Sequence, residues 1–362
     1  MNLYIKIFLC FMPVIYLFCI LGLSGCLENN TLPEVIPEGN NAADMLVYFE
    51  THGDYINSID MPSLVDAAEV YNNLAQYLII DTRRSNEFIK GHIGSAVNIQ
   101  SRNLLDYLKN NSFNNYTKIV LVSATGQASA YYTAVLRLNG FNNVYSLNFG
   151  MASWHSDFAS LWLMALATDM NSFTNDYFEK NPLTKLPDVS FNTKSSDIKD
   201  KIEERSKLVL AEEFEDNSIT VPDSESSGPA IDKKKLFNSG NRSSYYLICY
   251  GQDNLYEASG IFNPYLGKGH PAGAILYGPY AYLKSSMYLQ TLPLDKTIAI
   301  YCGNGQMSAA VAAYLKLLGY NAKSLLFGAN SIMYDRLVWD PTLTHYAFGH
   351  EKIGQYPYSS GN

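Results

Sequence analysis

The stretch Ile298-Ala-Ile-Tyr-Cys302-Gly-Asn-Gly305-Gln-Met-Ser308 decides the fold of this chain, because a close counterpart occurs earlier. The earlier copy is Ile119-Val-Leu-Val-Ser123-Ala-Thr-Gly126-Gln-Ala-Ser129. In both copies a short apolar run meets a turn that contains glycine, and a helical pattern follows. The pattern predicts a buried strand, a tight loop and a helix in each half of the chain.

Other segments repeat in the same order around these two copies. Lys-Gly-His-Ile-Gly-Ser-Ala-Val97 returns as Lys-Gly-His-Pro-Ala-Gly-Ala-Ile275, and Leu-Asn-Phe-Gly150 returns as Leu-Leu-Phe-Gly328. Preserved order and spacing over such a distance indicate a tandem duplication.

Each repeat has the pattern of an α/β unit, with short apolar strands between helical segments. The helical pattern is clearest at Ser308–Leu318, where Gly319 is placed to end the helix. We therefore expect two domains, each a parallel sheet with helices on both faces and with ligands beyond the carboxyl ends of its strands. The predicted strands are Tyr77–Ile80, Ile119–Val122, Tyr246–Ile248 and Ile298–Tyr301.

Composition narrows the class of protein. A chain of 362 residues with 47% hydrophobic and 17% charged residues is long enough for two average domains. These values exclude a disordered chain, a small disulfide-stapled protein and a multi-span membrane protein. The formal charge of −8 argues against a nucleic-acid partner.

The first 25 residues have the pattern of an export signal. Lys6 is their one charged residue, an apolar run from Ile7 to Leu23 follows, and the segment ends in Leu-Ser-Gly-Cys26. That ending resembles the bacterial lipobox, which implies a lipid on Cys26. An uncleaved membrane anchor is the alternative. We expect a lipid-anchored envelope protein, with the outer membrane facing the periplasm favoured over the inner membrane.

The predicted organisation has five parts. The linker contains a charged run, Lys194–Arg205, that predicts an exposed helix, followed by acid- and serine-rich stretches. We interpret these stretches as solvated linker, with an acidic binding patch as the alternative. The expected parts are a signal peptide at 1–25, a tether at 26–42, a first domain at 43–180, the linker at 181–230 and a second domain at 231–350.

Several motifs resemble those of the rhodanese family. They are Asp81-Thr-Arg83, Gly91-His-Ile93, the pair Gly150 and Trp154, and the loop at Cys302. The resemblance implies two rhodanese-like domains and a sulfurtransferase whose catalytic residue is Cys302. It further implies an active-site loop formed by Gly303, Asn304, Gly305, Gln306, Met307 and Ser308.

The loop at Cys302 suits sulfur chemistry. Backbone amides and the positive end of the following helix can stabilise a thiolate, or a persulfide formed on it. We expect a small sulfur donor to load Cys302 and a nucleophilic acceptor to unload it, with no metal or organic cofactor required. Ser308 either donates a hydrogen bond to the sulfur or caps the helix, and capping is favoured. An inert buried cysteine is the alternative for Cys302.

The residues of this loop also bear on the donor. The resemblance argues against a phosphatase or an arsenate reductase, because the loop is short and Met307 stands where an arginine would bind phosphate. The uncharged Gly303-Asn-Gly305 is similar to loops that use mercaptopyruvate, while many thiosulfate-using members carry cations there. The donor therefore stays open between these two types.

The first repeat carries Ser123 at the position of Cys302. A serine without an adjacent base is a poor nucleophile and cannot form a persulfide, so we expect this repeat to be inactive. Binding of an anion on its loop amides is a less favoured alternative. His92 and His270 occupy equivalent positions, and we expect both to be structural, hydrogen-bonded histidines.

Cys249 admits two alignments between the repeats. Pairing Tyr77 with Tyr246 places Cys249 at a core position, and we favour this alignment. A shift by one residue places Cys249 at the position of Asp81, next to the strand that ends at Cys302, and permits a resolving thiol or a disulfide.

Two functions follow from the sequence. The first is a membrane-tethered sulfurtransferase with one working site at Cys302. The alternative is a non-catalytic rhodanese pair that serves as a binding or scaffold module of the cell envelope. An insertion at 251–266 is interpreted as a cover that selects acceptors.

Overall fold

Two five-stranded sheets with the same strand order form the framework of the protein. The computed structural model describes residues 39–220, 228–238, 240, 242–258 and 268–361. Its strands are β1 (Leu64–Val65), β2 (Tyr77–Asp81), β3 (Val97–Asn98), β4 (Lys118–Val122), β5 (Val144–Leu147), β6 (Phe173–Thr174), β7 (Ala230–Ile231), β8 (Tyr245–Tyr250), β9 (His270–Pro271), β10 (Ile275–Tyr277), β11 (Thr297–Tyr301) and β12 (Ala322–Leu325).

Helices flank both sheets. They are α1 (Asn41–Thr51), α2 (Ala67–Asn72), α3 (Ser85–Lys90), α4 (Leu104–Asn110), α5 (Gln127–Leu138), α6 (Met151–Trp154), α7 (Ser160–Ala165), α8 (Ile198–Ala211), α9 (Lys233–Phe237), α10 (Asp253–Tyr256), α11 (Gln306–Leu317) and α12 (Tyr334–Trp339). Among the described residues, none of the helices is both long and apolar enough to cross a membrane.

The first sheet has the order β1-β5-β4-β2-β3 and the second the order β7-β12-β11-β8-β10, with all neighbouring strands parallel. Each strand of one sheet thus has a counterpart at the same place in the other. The predicted α/β fold with parallel sheets is confirmed.

The predicted element ends agree with the structure to within a few residues. Helix α11 begins at Gln306, two residues before the predicted start, because the backbone turns at Gly305. Gly319 follows the end of the helix with a φ of +95°, as a residue that ends a helix should. The predicted signal peptide and Cys26 lie outside the described residues, and α1 already begins at Asn41, within the predicted tether.

Helices α5 and α11 pack against each other and join the two halves. Every residue of α5 is buried, and α11 buries every residue except the half-buried Met307. A helix that is covered on all sides belongs to the core of a larger unit. One continuous core accordingly includes Leu121 from the first sheet and Ile300 from the second.

The predicted linker helix is present as α8, but it is not fully solvated. Ile202, Val209 and Leu210 are buried. Arg205 donates from Nη2 to the carbonyl of Lys316 at 2.6 Å, at the end of α11. The helix therefore covers the junction of the two halves instead of spanning solvent between them.

Each half extends a tail along the other. After α7, the amide of Ala167 donates to the carbonyl of Asn330 at 3.0 Å, and β6 then pairs antiparallel with β9. In return, Ser359 and His92 exchange two backbone hydrogen bonds of 2.8 Å each. The halves are thus reciprocally strapped together.

Both tails pair with the histidine of the repeated Lys-Gly-His segment. His92 stacks on Phe88 at 3.8 Å and hydrogen-bonds to its carbonyl at 2.9 Å from Nδ1. His270 stacks on Tyr256 at 3.6 Å and hydrogen-bonds to its carbonyl at 2.8 Å. The expectation that these two histidines are structural is confirmed.

The C-terminal tail allows a test of whether the reciprocal tails stabilise the protein. Tyr356 stacks on Tyr71 at 4.8 Å between ring centroids and lies 5.1 Å from the Trp154 ring. We predict that Tyr356→Ala lowers the free energy of unfolding by about 2 kcal/mol, because half-buried aromatic contacts are lost. Urea unfolding would measure the change. Tyr177→Ala is the matched control, since that side chain is 68% exposed and its loss should cost less than about 0.5 kcal/mol. Equal effects of the two substitutions would contradict a stabilising tail.

Candidate active site

Strand β11 delivers Cys302 to the carboxyl edge of the second sheet, directly before the loop and α11. Its sulfur accepts two backbone hydrogen bonds, from the amide of Gly305 at 3.2 Å and from that of Ser308 at 3.3 Å. The residue is 2% exposed. These amides and the positive end of α11 face the sulfur, so the site is suited to hold a negative charge there.

Two glycines shape this loop. Gly305 has a φ of +83°, and a Cβ on it would lie 2.3 Å from Oε1 of Gln127. A Cβ on Gly328, whose φ is +52°, would lie 2.4 Å from the carbonyl oxygen of Cys302. The amide of Ala329 donates to that same carbonyl at 2.8 Å. The repeated Phe-Gly motif therefore braces the loop from behind, and a side chain at either glycine would displace it.

Gln306 belongs to the predicted loop but reaches across to the first half. Its Oε1 accepts from the amide of Phe149 at 2.9 Å, and its Nε2 donates to Asn148 at 2.8 Å. Gln127 does the same in reverse, accepting from the amide of Phe327 at 2.6 Å. The two glutamines thus fix each loop against the opposite half.

The remaining loop residues have mainly local contacts. Asn304 accepts from the amide of Gln306 at 3.2 Å. The Ser308 hydroxyl donates to the carbonyl of Gly305 at 3.1 Å, and the helix is preceded by Gly305. The expected capping role of Ser308 is therefore wrong, because α11 starts before this residue. The sulfur is bound by the Ser308 amide.

Residues distant in sequence cover the loop. A Cβ on Gly303 would lie 2.1 Å from the ring of Tyr346. Asn330 donates 2.9 Å hydrogen bonds to the carbonyls of both residues, which holds the ring against the loop. Burial raises the pKa of Tyr346 to about 12, so the phenol stays neutral at physiological pH. The sequence analysis identified neither Tyr346 nor Asn330. The available signal was at Asn330, where a polar residue stands in place of Ala152 of the first repeat.

The first loop presents the same amides to Ser123. Its Oγ accepts from the amides of Gly126 at 3.0 Å and Ser129 at 3.2 Å. It donates to the carboxylate of Asp216 at 2.7 Å. Asp216 comes from the acid-rich stretch that we interpreted as solvated linker, yet it is only 5% exposed. That interpretation is wrong at this residue.

The strand register at Cys249 follows the alignment that the sequence analysis did not favour. It pairs with Tyr301 across β8 and β11, as Asp81 pairs with Val122 across β2 and β4. Cys249 therefore stands at the position of Asp81. The side chain is nevertheless buried, as expected, and burial raises its pKa to about 12. Cys249 and Cys302 are both free thiols.

A different arginine compensates for the lost aspartate. In the first half, Asp81 binds Arg83 at 2.6 Å, and Arg83 donates to the carbonyl of Gly91 at 2.7 Å. In the second half, Arg336 of α12 donates to the carbonyl of Gly269, the counterpart of Gly91. The second repeat lacks the Asp-x-Arg motif, and the same backbone group is bound by a side chain from another element.

The predicted insertion at 251–266 is described only as far as Ala258, and it includes α10. Residues 259–266 lie outside the described residues, so its interpretation as a cover stays a prediction. In the part of the chain that the structure describes, no group of three or more histidine, cysteine or carboxylate side chains is arranged to hold a metal.

Comparisons with known proteins address the family. The model of the rhodanese-like domain family matches residues 66–157. A thiosulfate sulfurtransferase GlpE of Shewanella oneidensis is 34% identical over 77 residues, which cover 21% of this chain and 74% of that protein. The GlpE of Pseudomonas entomophila is 28% identical over 81 residues, covering 22% and 72%.

Among solved structures, a rhodanese-related protein of Thermoplasma volcanium is 28% identical, with a TM-score of 0.24, and the match covers 25% of this chain and 89% of that one. The family model and the Shewanella relative decide the assignment: this chain belongs to the rhodanese family.

Proposed function

We propose that this protein is a sulfurtransferase that carries sulfane sulfur on Cys302. The observation that carries the proposal is the pair of amides, from Gly305 and Ser308, that donate to the Cys302 sulfur at the start of α11. They favour a sulfur that bears negative charge, which is the form that attacks a donor. The family model matches residues 66–157, and the loop at Cys302 repeats the loop at Ser123 within that range.

The exchange has two steps. The Cys302 thiolate attacks the terminal sulfur of thiosulfate, or the thiol sulfur of mercaptopyruvate, and forms an S–S bond. With thiosulfate the donor's own S–S bond breaks and sulfite leaves. With mercaptopyruvate its C–S bond breaks, and the pyruvate enolate takes up the proton of the former thiol. A nucleophilic acceptor then attacks the terminal sulfur of the persulfide, and the Cys302 thiolate is restored.

The first loop suggests where the terminal sulfur is held. There, Oδ2 of Asp216 accepts from the amides of Thr125 at 3.1 Å and Ala128 at 3.2 Å. The counterparts of these residues in the second loop are Asn304 and Met307. We assign their amides to the terminal sulfur of the persulfide, because an anion occupies the equivalent place in the first loop.

We propose one working site for the chain. Ser123 cannot form a persulfide, and the carboxylate of Asp216 already occupies the space next to its hydroxyl. In the second loop, residues 303–308 have no charged side chain, so the loop does not by itself select a dianionic donor. The donor stays open between the thiosulfate and mercaptopyruvate types.

Intact mass spectrometry of residues 27–362 tests the proposal. After incubation with thiosulfate or mercaptopyruvate, we expect the chain to gain the mass of one sulfur atom. Cys302→Ser should gain none, because no other thiol is poised for attack. Cys249→Ser is the matched control and should still be loaded, since the buried Cys249 thiol has a pKa of about 12.

Loading of Cys302→Ser would contradict the assignment of the nucleophile. No adduct from either donor would support the second candidate, a non-catalytic binding module. The observation that favours that candidate is burial, because Cys302 is 2% exposed and the Tyr346 ring covers the neighbouring Gly303.

The glycine turn at Gly305 provides a second test. Gly140 has a similar φ of +91°, but a Cβ on it would meet no atom within 4 Å. We predict that Gly140→Ala costs about 1 kcal/mol of stability from backbone strain and leaves sulfur loading unchanged. Gly305→Ala adds a clash with Gln127 and moves an amide away from the sulfur. We expect the rate of loading, followed by mass, to fall at least about tenfold. Equal rates in the two variants would argue that the amide geometry is unimportant.

We further propose that a lipid on Cys26 tethers the protein to the membrane. The Leu-Ser-Gly-Cys26 ending supports this proposal. In a bacterial host, the full chain should incorporate radiolabelled palmitate, and Cys26→Ser should not. Cys19→Ser, in the preceding apolar run, is the control and should still be labelled. An unlabelled wild-type chain in the membrane fraction would indicate the alternative, an uncleaved anchor.

A further inference from the structure

The first loop contains a ligand that the chain itself supplies. Oδ2 of Asp216 accepts four hydrogen bonds, two from amides and two from the hydroxyls of Ser123 at 2.7 Å and Thr125 at 2.8 Å. Both hydroxyl-bearing residues are at most 1% exposed. A buried carboxylate is costly unless donors converge on it. Here the donors come from residues about ninety positions earlier in the chain.

The residues around Asp216 are bound as well. Glu213 pairs with Arg102 and Glu215 with Arg84. Between them, Phe214 is 4% exposed, and its amide donates to the hydroxyl of Tyr132 at 2.8 Å. Every residue of the segment 213–216 therefore has a partner on the first half.

A like charge, Glu87, lines the same pocket. Burial, and secondly the charge of Asp216, raise the pKa of the Glu87 carboxyl. Arg83 and Arg84 line this pocket as well, so these cations and the donors of the loop together offset the cost of placing Asp216 beside Glu87.

We propose that the first loop is a carboxylate-binding site and that Asp216 is its resident ligand. The site retains the anion-binding amides of a rhodanese loop, and the linker uses them to dock on the first half. When the carboxylate of Asp216 is removed, the same donors bind a small monocarboxylate such as acetate. This inference goes beyond the proposed sulfur transfer and does not depend on Cys302.

The test is rescue of Asp216→Ala in the full chain by acetate. In chloride, the variant should melt below wild type, and glutamyl endopeptidase should cut after Glu213 and Glu215 roughly tenfold faster, because the charge-assisted hydrogen bonds are lost. At equal ionic strength, acetate should raise the melting temperature of the variant by several degrees and slow the cleavage.

Three controls define the site. Wild type and Asp216→Asn should show no response to acetate, since a side chain fills the loop in both. Asp188→Ala should melt and be cleaved like wild type in both chloride and acetate, because the Asp188 side chain is 78% exposed.

The proposal would be overturned if acetate changed the melting temperature and cleavage of Asp216→Ala no more than chloride does. An equal effect of acetate on Asp216→Asn would also overturn it. Should Asp216→Ala not fold, Thr125→Val decides. It removes one hydroxyl donor to the carboxylate, and it should speed cleavage after Glu215. Unchanged cleavage would again overturn the proposal.

Discussion

The structure depends on backbone amides that converge on one point at the carboxyl edge of each sheet. In both halves a parallel strand ends, the chain turns at a glycine of positive φ, and a buried helix begins. The amides at the turn have no partner within the helix, so they need an acceptor from elsewhere. In the second half the acceptor is the sulfur of Cys302, and in the first it is the pair of Ser123 and Asp216.

This requirement accounts for the different acceptors in the two loops. Each unsatisfied amide in a buried place costs about 1–3 kcal/mol, so a loop without a cysteine sulfur needs another acceptor. The Ser123 hydroxyl is shorter than a thiol and uncharged, and the linker carboxylate completes the set of acceptors. The serine of the first loop and the docking of the linker are therefore two parts of one arrangement.

The surroundings of the two loops also make the halves dependent on each other. Gln127 and Gln306 hydrogen-bond to the Phe-Gly turn of the opposite half, and the tails cross in both directions. Helices α5 and α11 are buried almost completely by this arrangement. The geometry at Cys302 thus depends on residues of the first half, which gives the first repeat a structural role at the Cys302 loop.

Features that rest on local chemistry were predictable from the residues themselves. Apolar runs, glycine turns and the duplicated order predicted the parallel strands, α11 and the place of Cys302, since strand and helix patterns depend on neighbouring residues. The structural role of His92 and His270 was predicted from the family resemblance, in which their Gly-His segment is a packing corner.

The distant groups that fill each loop were known only from the folded chain. It brought Asp216 to Ser123, Tyr346 to Gly303 and Arg336 to the carbonyl of Gly269, and it placed Cys249 one register away from the favoured alignment. The acidic linker resembled solvated surface because its composition carries no sign of the donors that it meets. The physical reason is that a buried acceptor is stabilised by the number and direction of donors around it, and these are fixed by contacts between residues far apart in the chain.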